Sequence, residues 1–266
     1  MRETWRFVNS GTLPGAHNMA LDEAILRAHQ AGAVPPTLRV YGWKPEAVSL
    51  GKFQRLESTV DPEACRRLGL DIVRRPTGGR ALLHTAEEVT FSLVVSAARL
   101  GTRGVMDSYR RLAEGIIAGL RTLGLDARLL ERASLAPPGP AGLADPACFA
   151  RTARCDLVVG TAKLVGSAQV QQRGFLLQQN SLPLRLHADR WAHVFLRPAT
   201  PPHARGLWEA IGRAVPVAEV AAALRGGFAD AFGVNFQESG LSPQEQDAAS
   251  GIGLPAPPGV NPIPEA

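Results

Sequence analysis

Hydrophobic positions recur with two different spacings along the first two thirds of the chain. Between Asn18 and Gln30, the positions Met19, Ala20, Ala24, Ile25 and Leu26 fall on one side of a helical period, with Asn18 as the expected cap. Gly32 and Pro35-Pro36 stop this helix. Leu38, Val40 and Trp43 then alternate with Arg39, Tyr41 and Gly42, which predicts a strand. Val48–Gly51, Asp71–Arg74, Arg80–Leu83 and Val89–Val95 predict four more. Asp61-Pro62-Glu63 opens a short helix with proline at its first position. Thr77-Gly78-Gly79 reads as a turn. Met106–Leu123 returns to helical spacing, with Leu112, Ile116, Ile117 and Leu120 inward and Gly124 as its stop.

The pattern breaks at Ala133–Pro146, where prolines and glycines predict an irregular loop. Asp156–Leu184 reads as closely spaced strands with turns at Gly160, Gly166 and Gly174. From about residue 186 the chain is mainly helical, and Pro243 starts a last short helix. The tail 251–266 carries five prolines and is expected to be disordered, leaving residues 1–250 as the folded domain. Hairpin-like spacing without regular strand–helix–strand units predicts an α+β fold, a mixed, largely antiparallel sheet flanked by helices.

Composition narrows the classes. The chain has 266 residues, 45% of them hydrophobic, enough for a large core and incompatible with a disulfide miniprotein, a fibre or a wholly disordered chain. Its three cysteines, Cys65, Cys148 and Cys155, suggest free thiols in a reducing compartment. The first residues lack a signal-peptide apolar run, and no window offers about 18 consecutive apolar residues. A cytoplasmic protein is expected. The net charge of +5 admits a nucleic acid, a membrane surface or an acidic protein as partner. Basic residues do not interleave with aromatics, which argues against a nucleic-acid stacking surface. Lysine stands only at 44, 52 and 163, and every other basic residue among the 29 is arginine. A lysine inside a motif is therefore conspicuous.

Three segments hold candidate chemistry. Arg74–His84 contains the Gly78-Gly79 pair between arginines and a histidine, but it fits neither the phosphate-loop nor the dinucleotide fingerprint. Gly160–Gln169 places Lys163 in an apolar strand between glycines. Cys148 follows the Pro-rich loop, the one cysteine of the three in a loop-like context. Each has a plain structural alternative. Gly78-Gly79 can be a hairpin turn, Lys163 an edge-strand lysine that blocks aggregation, and Cys148 a small buried hydrophobe. Cys65, on its short amphipathic helix, takes that last reading, as does Cys155. No closely spaced Cys/His cluster suggests zinc, and no Gly-x-Ser-x-Gly elbow appears.

Taken in order, these segments resemble the biotin/lipoate protein ligase superfamily, and within it the LipM-type octanoyltransferases. The resemblance runs from about Trp5 to Leu184. It rests on Asn18–Ala24, Pro36–Trp43, Val48–Gln54, Arg74–His84 and Gly166–Gln169. It implies an acyl tunnel near the Gly-Gly turn and the Lys163 strand. It also implies transfer of an octanoyl group from acyl carrier protein to a lysine of a lipoyl domain, such as that of a glycine cleavage H protein, with no cofactor, no metal, no nucleic acid and no membrane. Cys148 would carry the acyl group as a thioester, with Lys163 beside it. Arg75 and His84 would line the mouth, and backbone N–H groups around Gly78-Gly79 and Gly166-Ser167 would bind the acyl carbonyl. The alternatives within the superfamily are an ATP-dependent lipoate ligase, which needs no cysteine, and an octanoyl amidotransferase between lipoyl domains. A fold-retaining binding module without turnover is a third class. Cys155, seven residues after Cys148, has no implied role. With carrier and lipoyl domains typically acidic, an acidic protein becomes the favoured partner.

Overall fold

A sixteen-residue helix carries Asn18 and Asp22 one turn apart, and both side chains are buried although both are polar. The position of that helix against two sheets organises the site. The computed structural model describes residues 2–130, 148–150, 156–196 and 204–250. The predicted Ala133–Pro146 loop, Cys155 and the 251–266 tail lie outside these residues.

The chain opens with β1 (Thr4–Leu13) and α1 (Gly15–Gln30), followed by β2 (Thr37–Trp43) and β3 (Ala47–Leu50). Next come α2 (Pro62–Arg67), β4 (Asp71–Arg74), β5 (Leu82–His84) and β6 (Glu88–Ser96). The helices α3 (Ala97–Leu100) and α4 (Val105–Thr122) lead to β7 (Ala127–Leu129). A 3-10 turn at Cys148–Ala150 precedes β8 (Leu157–Val159), β9 (Ala162–Gln172) and β10 (Phe175–Pro183). The C-terminal part holds α5 (Ala188–Val194), α6 (Leu207–Ile211), α7 (Val217–Phe232), β11 (Asn235–Glu238) and α8 (Pro243–Ser250).

The strands form two sheets rather than one. The larger has the order β11-β1-β2-β6-β10-β9-β8-β7, with β1 parallel to both neighbours and the remaining pairs antiparallel. The smaller has the order β4-β3-β5. One face of the large sheet offers Leu38, Val40, Phe91, Leu93, Leu176 and Leu182 to α4 and α7, which supply Leu112, Ile116, Leu120, Leu224 and Phe228. The opposite face is mostly polar near its centre. There Arg39 and Tyr41 on β2 stand in register with Ser92 and Thr90 on β6, which face Gln179 and Ser181 on β10. Directly opposed residues of an antiparallel pair share a face, so these six side chains form one patch, under α1 and the small sheet.

Four local expectations change. Asn18 is not a cap: α1 starts three residues earlier, and the Asn18 amide donates to the carbonyls of Leu13 and Gly42. Gly78-Gly79 is not a hairpin turn, because β4 and β5 do not pair and β3 lies between them. Gly166 is not a turn either; it lies within β9, while Gly160 and Gly174 do turn, with φ of 61° and 81°. Lys163 is not on an edge, since β9 is flanked by β10 and β8. The strands β1, β7 and β11 are additions to the sequence reading.

Candidate active site

The two sheets and α1 enclose a cavity of about 370 Å³, counted to its open mouth. Met19, Tyr41, Trp43, Thr90, Ala168 and Gln179 form the wall on the α1 and large-sheet side. Arg75, Gly79, Arg80, Leu82 and His84 form the small-sheet side, and Cys148, Ser167 and Ser181 also line it.

Behind the large-sheet wall lies a closed polar cluster. The Asp22 carboxylate accepts from Arg39 Nη1 at 2.8 Å, Ser92 Oγ at 2.7 Å, Gln179 Nε2 at 2.7 Å and Tyr41 O–H at 3.0 Å. Arg39 donates further to Asn18 and to Ser10 Oγ. Burial, then the neighbouring Asp22 charge, pushes the Tyr41 phenol well above its ordinary pKa, so it stays a neutral donor. Gln179 also accepts from Thr77 Oγ1 at 2.8 Å, which ties the Gly78-Gly79 connection to β10.

Arg75 braces the opposite wall. Its Nη1 donates to the carbonyl and hydroxyl of Ser49 on β3, and its Nη2 donates to the carbonyls of Gly78 and Arg80. Burial lowers its pKa, opposed first by the Cys148 sulfur. Ser49 Oγ lies 2.6 Å from His84 Nε2, and His84 Nδ1 lies 2.8 Å from Glu88 Oε1. Glu88 thus accepts from Nδ1–H, and Ser49 links the imidazole to Arg75. Trp43 stacks on the imidazole with centroids 3.9 Å apart. Both Arg75 and His84 therefore face the cavity while their polar atoms hold the small sheet. Gly79 lines the cavity; Gly78 contributes its carbonyl to Arg75.

Cys148 is fixed from three directions. Its N–H donates to Ala81 O at 2.9 Å, just before β5. The next residue, Phe149, is buried and meets Trp191 of α5 edge-on at 5.9 Å. Below the thiol lies Gly166, where a Cβ would stand 3.5 Å from Cys148 Sγ and 3.3 Å from Phe149 Cζ. The tighter of the two approaches is the Phe149 ring, which lies directly against this glycine of β9.

The β8–β9 hairpin brings Lys163 to the same place. Its Nζ lies 3.4 Å from Cys148 Sγ, 3.3 Å from Cys148 O and 2.9 Å from Asp156 Oδ1. Only 3% of the Lys163 side chain is exposed. Burial works against its charge, but the Cys148 sulfur and the Asp156 carboxylate together raise its pKa above the ordinary lysine value. Lys163 is a held ammonium aimed at a sulfur. Cys65 differs: burial, aided by the Asp61 charge, pushes its thiol up to about 11 on the back of α2.

Sequence reasoning missed Asp22, Arg39, Gln179, Ser49, Glu88 and Asp156. A signal existed for two of them: an arginine in the middle of an apolar strand, and Asn18 and Asp22 four apart on one helical face. Among the described residues, no group of three or more His, Cys, Asp or Glu side chains could hold a metal ion, and no helix is long and apolar enough to cross a membrane.

Residues 14–229 match the lipoyl protein ligase A/B catalytic domain family. Octanoyltransferase LipM of Kyrpidia tusciae is 42% identical across 93% of this chain and 94% of its own. The chain belongs to the LipM-type octanoyltransferases. Bacillus subtilis octanoyltransferase LipM is 36% identical over 92% of each chain. Among solved structures, a Thermoplasma acidophilum protein of the lipoate protein ligase type, with lipoic acid bound, superposes with a TM-score of 0.76 at 26% identity over 94% of each chain. Lipoate-protein ligase A bound with ATP gives a TM-score of 0.75 at 25% identity. As a LipM-type octanoyltransferase, the protein transfers octanoyl groups in lipoylation.

Proposed function

We propose that Cys148 carries the octanoyl group as a thioester between an acyl carrier protein and a lysine of a lipoyl domain. The observation that carries this reading is the 3.4 Å approach of the Lys163 ammonium to Cys148 Sγ at the wall of the cavity. A thiolate is the nucleophile in such transfers, and an adjacent cation stabilises it. Cys148 S⁻ adds to the thioester carbonyl of the donor, and the bond from that carbonyl to the carrier sulfur breaks. The carrier leaves as a thiol with the proton that Cys148 gave up. The neutral amine of the acceptor lysine then adds to the enzyme thioester. An amide forms, the bond to Cys148 Sγ breaks, and the amine's surplus proton returns to the site. Thioester exchange is nearly isoenergetic and the amide lies downhill, so no ATP is consumed.

The cavity supplies the rest. Arg75 and Ser181 line the cavity, and Arg75 Nε and Ser181 Oγ are buried without a hydrogen-bond partner, the kind of donor that an acyl oxygen bearing developing charge requires. Met19, Trp43, Leu82 and Ala168 offer apolar surface to the chain.

Incubation with octanoyl-acyl carrier protein should add one octanoyl mass to the protein. Cys148→Ala should lose that adduct, and transfer to a lipoyl domain should fall by at least about 10³-fold. An adduct that persists in Cys148→Ala overturns the assignment. Transfer by Cys148→Ala from free octanoate with ATP would favour the ligase chemistry instead.

A further inference from the structure

One motif has no part in the cavity. Gly51-Lys52-Phe53-Gln54 follows β3, and Phe53 is 85% exposed, the most exposed large apolar side chain among the described residues. Lone exposed apolar residues are ordinary, but this one lies in a groove. The groove is lined by Phe53, Arg27, Lys52, Arg55 and Arg74, with Glu23 and Glu57 as its two acids. Glu23 is paired with Arg27. Neither Lys52 nor Arg55 has an ion-pair partner among the described residues, and Lys52 is one of three lysines in the chain.

The loop is built, not loose. Arg74 Nη1 donates to the carbonyls of Gly51, Lys52 and Gln54. Lys52 N–H donates to Thr77 O at 2.9 Å. At Gly51 a Cβ would stand 2.0 Å from Gly79 O, so the loop presses on the segment that walls the catalytic cavity. Arg75 lines both the groove and the cavity. The groove thus opens beside the site of acyl transfer and presents an aromatic anchor among solvated cations.

We propose that this groove docks the acyl donor, an acidic carrier protein whose thioester hangs on a phosphate-bearing arm. The inference rests on the reading that a carrier protein is the donor. Charge selects the donor over the acceptor. Both partners are acidic proteins, but the acceptor's reacting end is a lysine, which Lys52 and Arg55 repel, whereas the donor's reacting arm carries a phosphate. Phe53 supplies the apolar centre of the contact, and Lys52 and Arg55 supply attraction and orientation.

The test compares Phe53→Ala and a Lys52→Glu/Arg55→Glu double variant with the parent enzyme. Cys148 acylation is followed with octanoyl-acyl carrier protein and with octanoyl-pantetheine, which lacks both protein and phosphate. With the carrier, kcat/KM should fall about 10- to 30-fold in the double variant, several-fold in Phe53→Ala, and the salt dependence should weaken. With octanoyl-pantetheine both variants should match the parent, as should onward transfer from preformed acyl-enzyme to a lipoyl domain. Equal losses with the small donor would mean damage to the cavity and would overturn the proposal. A loss confined to onward transfer would assign the groove to the acceptor and overturn it too, as would unchanged carrier kinetics. If the parent acquires no octanoyl group from either donor, the underlying acyl-enzyme reading fails first.

Discussion

Two buried cation–aspartate pairs lie among the described residues, and they differ in what surrounds them. Asp22 with Arg39 has both side chains fully buried, and the carboxylate takes four donors from two elements on the sheet centre and one strand beyond, β2, β6 and β10. Its capacity is filled by the protein. Lys163 with Asp156 is nearly as buried, yet the ammonium also faces a thiol that lines a cavity. A closed cluster fixes elements in place; a cluster with one reactive atom at a cavity is equipped for chemistry. Burial alone does not separate the two.

The largest effect should come from the closed cluster, and on stability. Asp22→Ala leaves Arg39 charged and unpaired, which should cost about 3–5 kcal/mol in urea unfolding. A cost under about 1 kcal/mol would show that the two clusters do not differ as described. Asp156→Asn should do less to stability and more to pH dependence. The stabilisation that Lys163 gains by being charged is complete below the ordinary lysine pKa of 10.5 and is lost as pH rises through its higher folded-state value. Without the Asp156 charge, that loss should begin at lower pH. The alkaline limb of kcat/KM should move the same way, with about a tenfold drop at its former optimum. An unmoved alkaline limb would remove Asp156 from the account of the site. The smallest effect belongs to Cys65. With its thiol pushed up to about 11, it should resist iodoacetamide at pH 8 in the folded enzyme while Cys148 reacts, as read by peptide mapping. Cys65→Ala should cost only about 1 kcal/mol. Labelling of both thiols at one rate would erase the distinction between them.

How far the sequence could be read follows from the range of each interaction. The helix over Met106–Leu123 and the strands β2, β3 and β4 were readable because their signal is local periodicity, and α4 differs from the expectation by one residue at each end. Asn18 looked like a cap because cap chemistry is local, but its partners at Gly42 and Arg39 come from the next strand. Gly166 resembled a turn because glycine usually marks one; here it lies in mid-strand, against the Cys148-Phe149 turn. Lys163 stood out against an arginine-rich background. Asp156 did not, since an aspartate at a strand entrance is ordinary until the hairpin folds it against the lysine. The strand β11, with mostly exposed residues and four positions, carried no pattern to detect.

The held ammonium at Lys163 has a further consequence if the proposed thioester forms beside it. On the acyl-enzyme route, an amine of the enzyme's own lies beside the thioester, with Lys163 Nζ 3.4 Å from Cys148 Sγ. Aminolysis needs a nitrogen lone pair, and a protonated amine has none. Once the sulfur is acylated it carries no charge, and Asp156, 2.9 Å from Nζ, is left to keep the proton on Lys163 and so to shield the intermediate from capture by its own neighbour. The lifetime of the loaded enzyme, and the fraction of turnovers that end in self-modification, are then set by the same ion pair that positions the thiol.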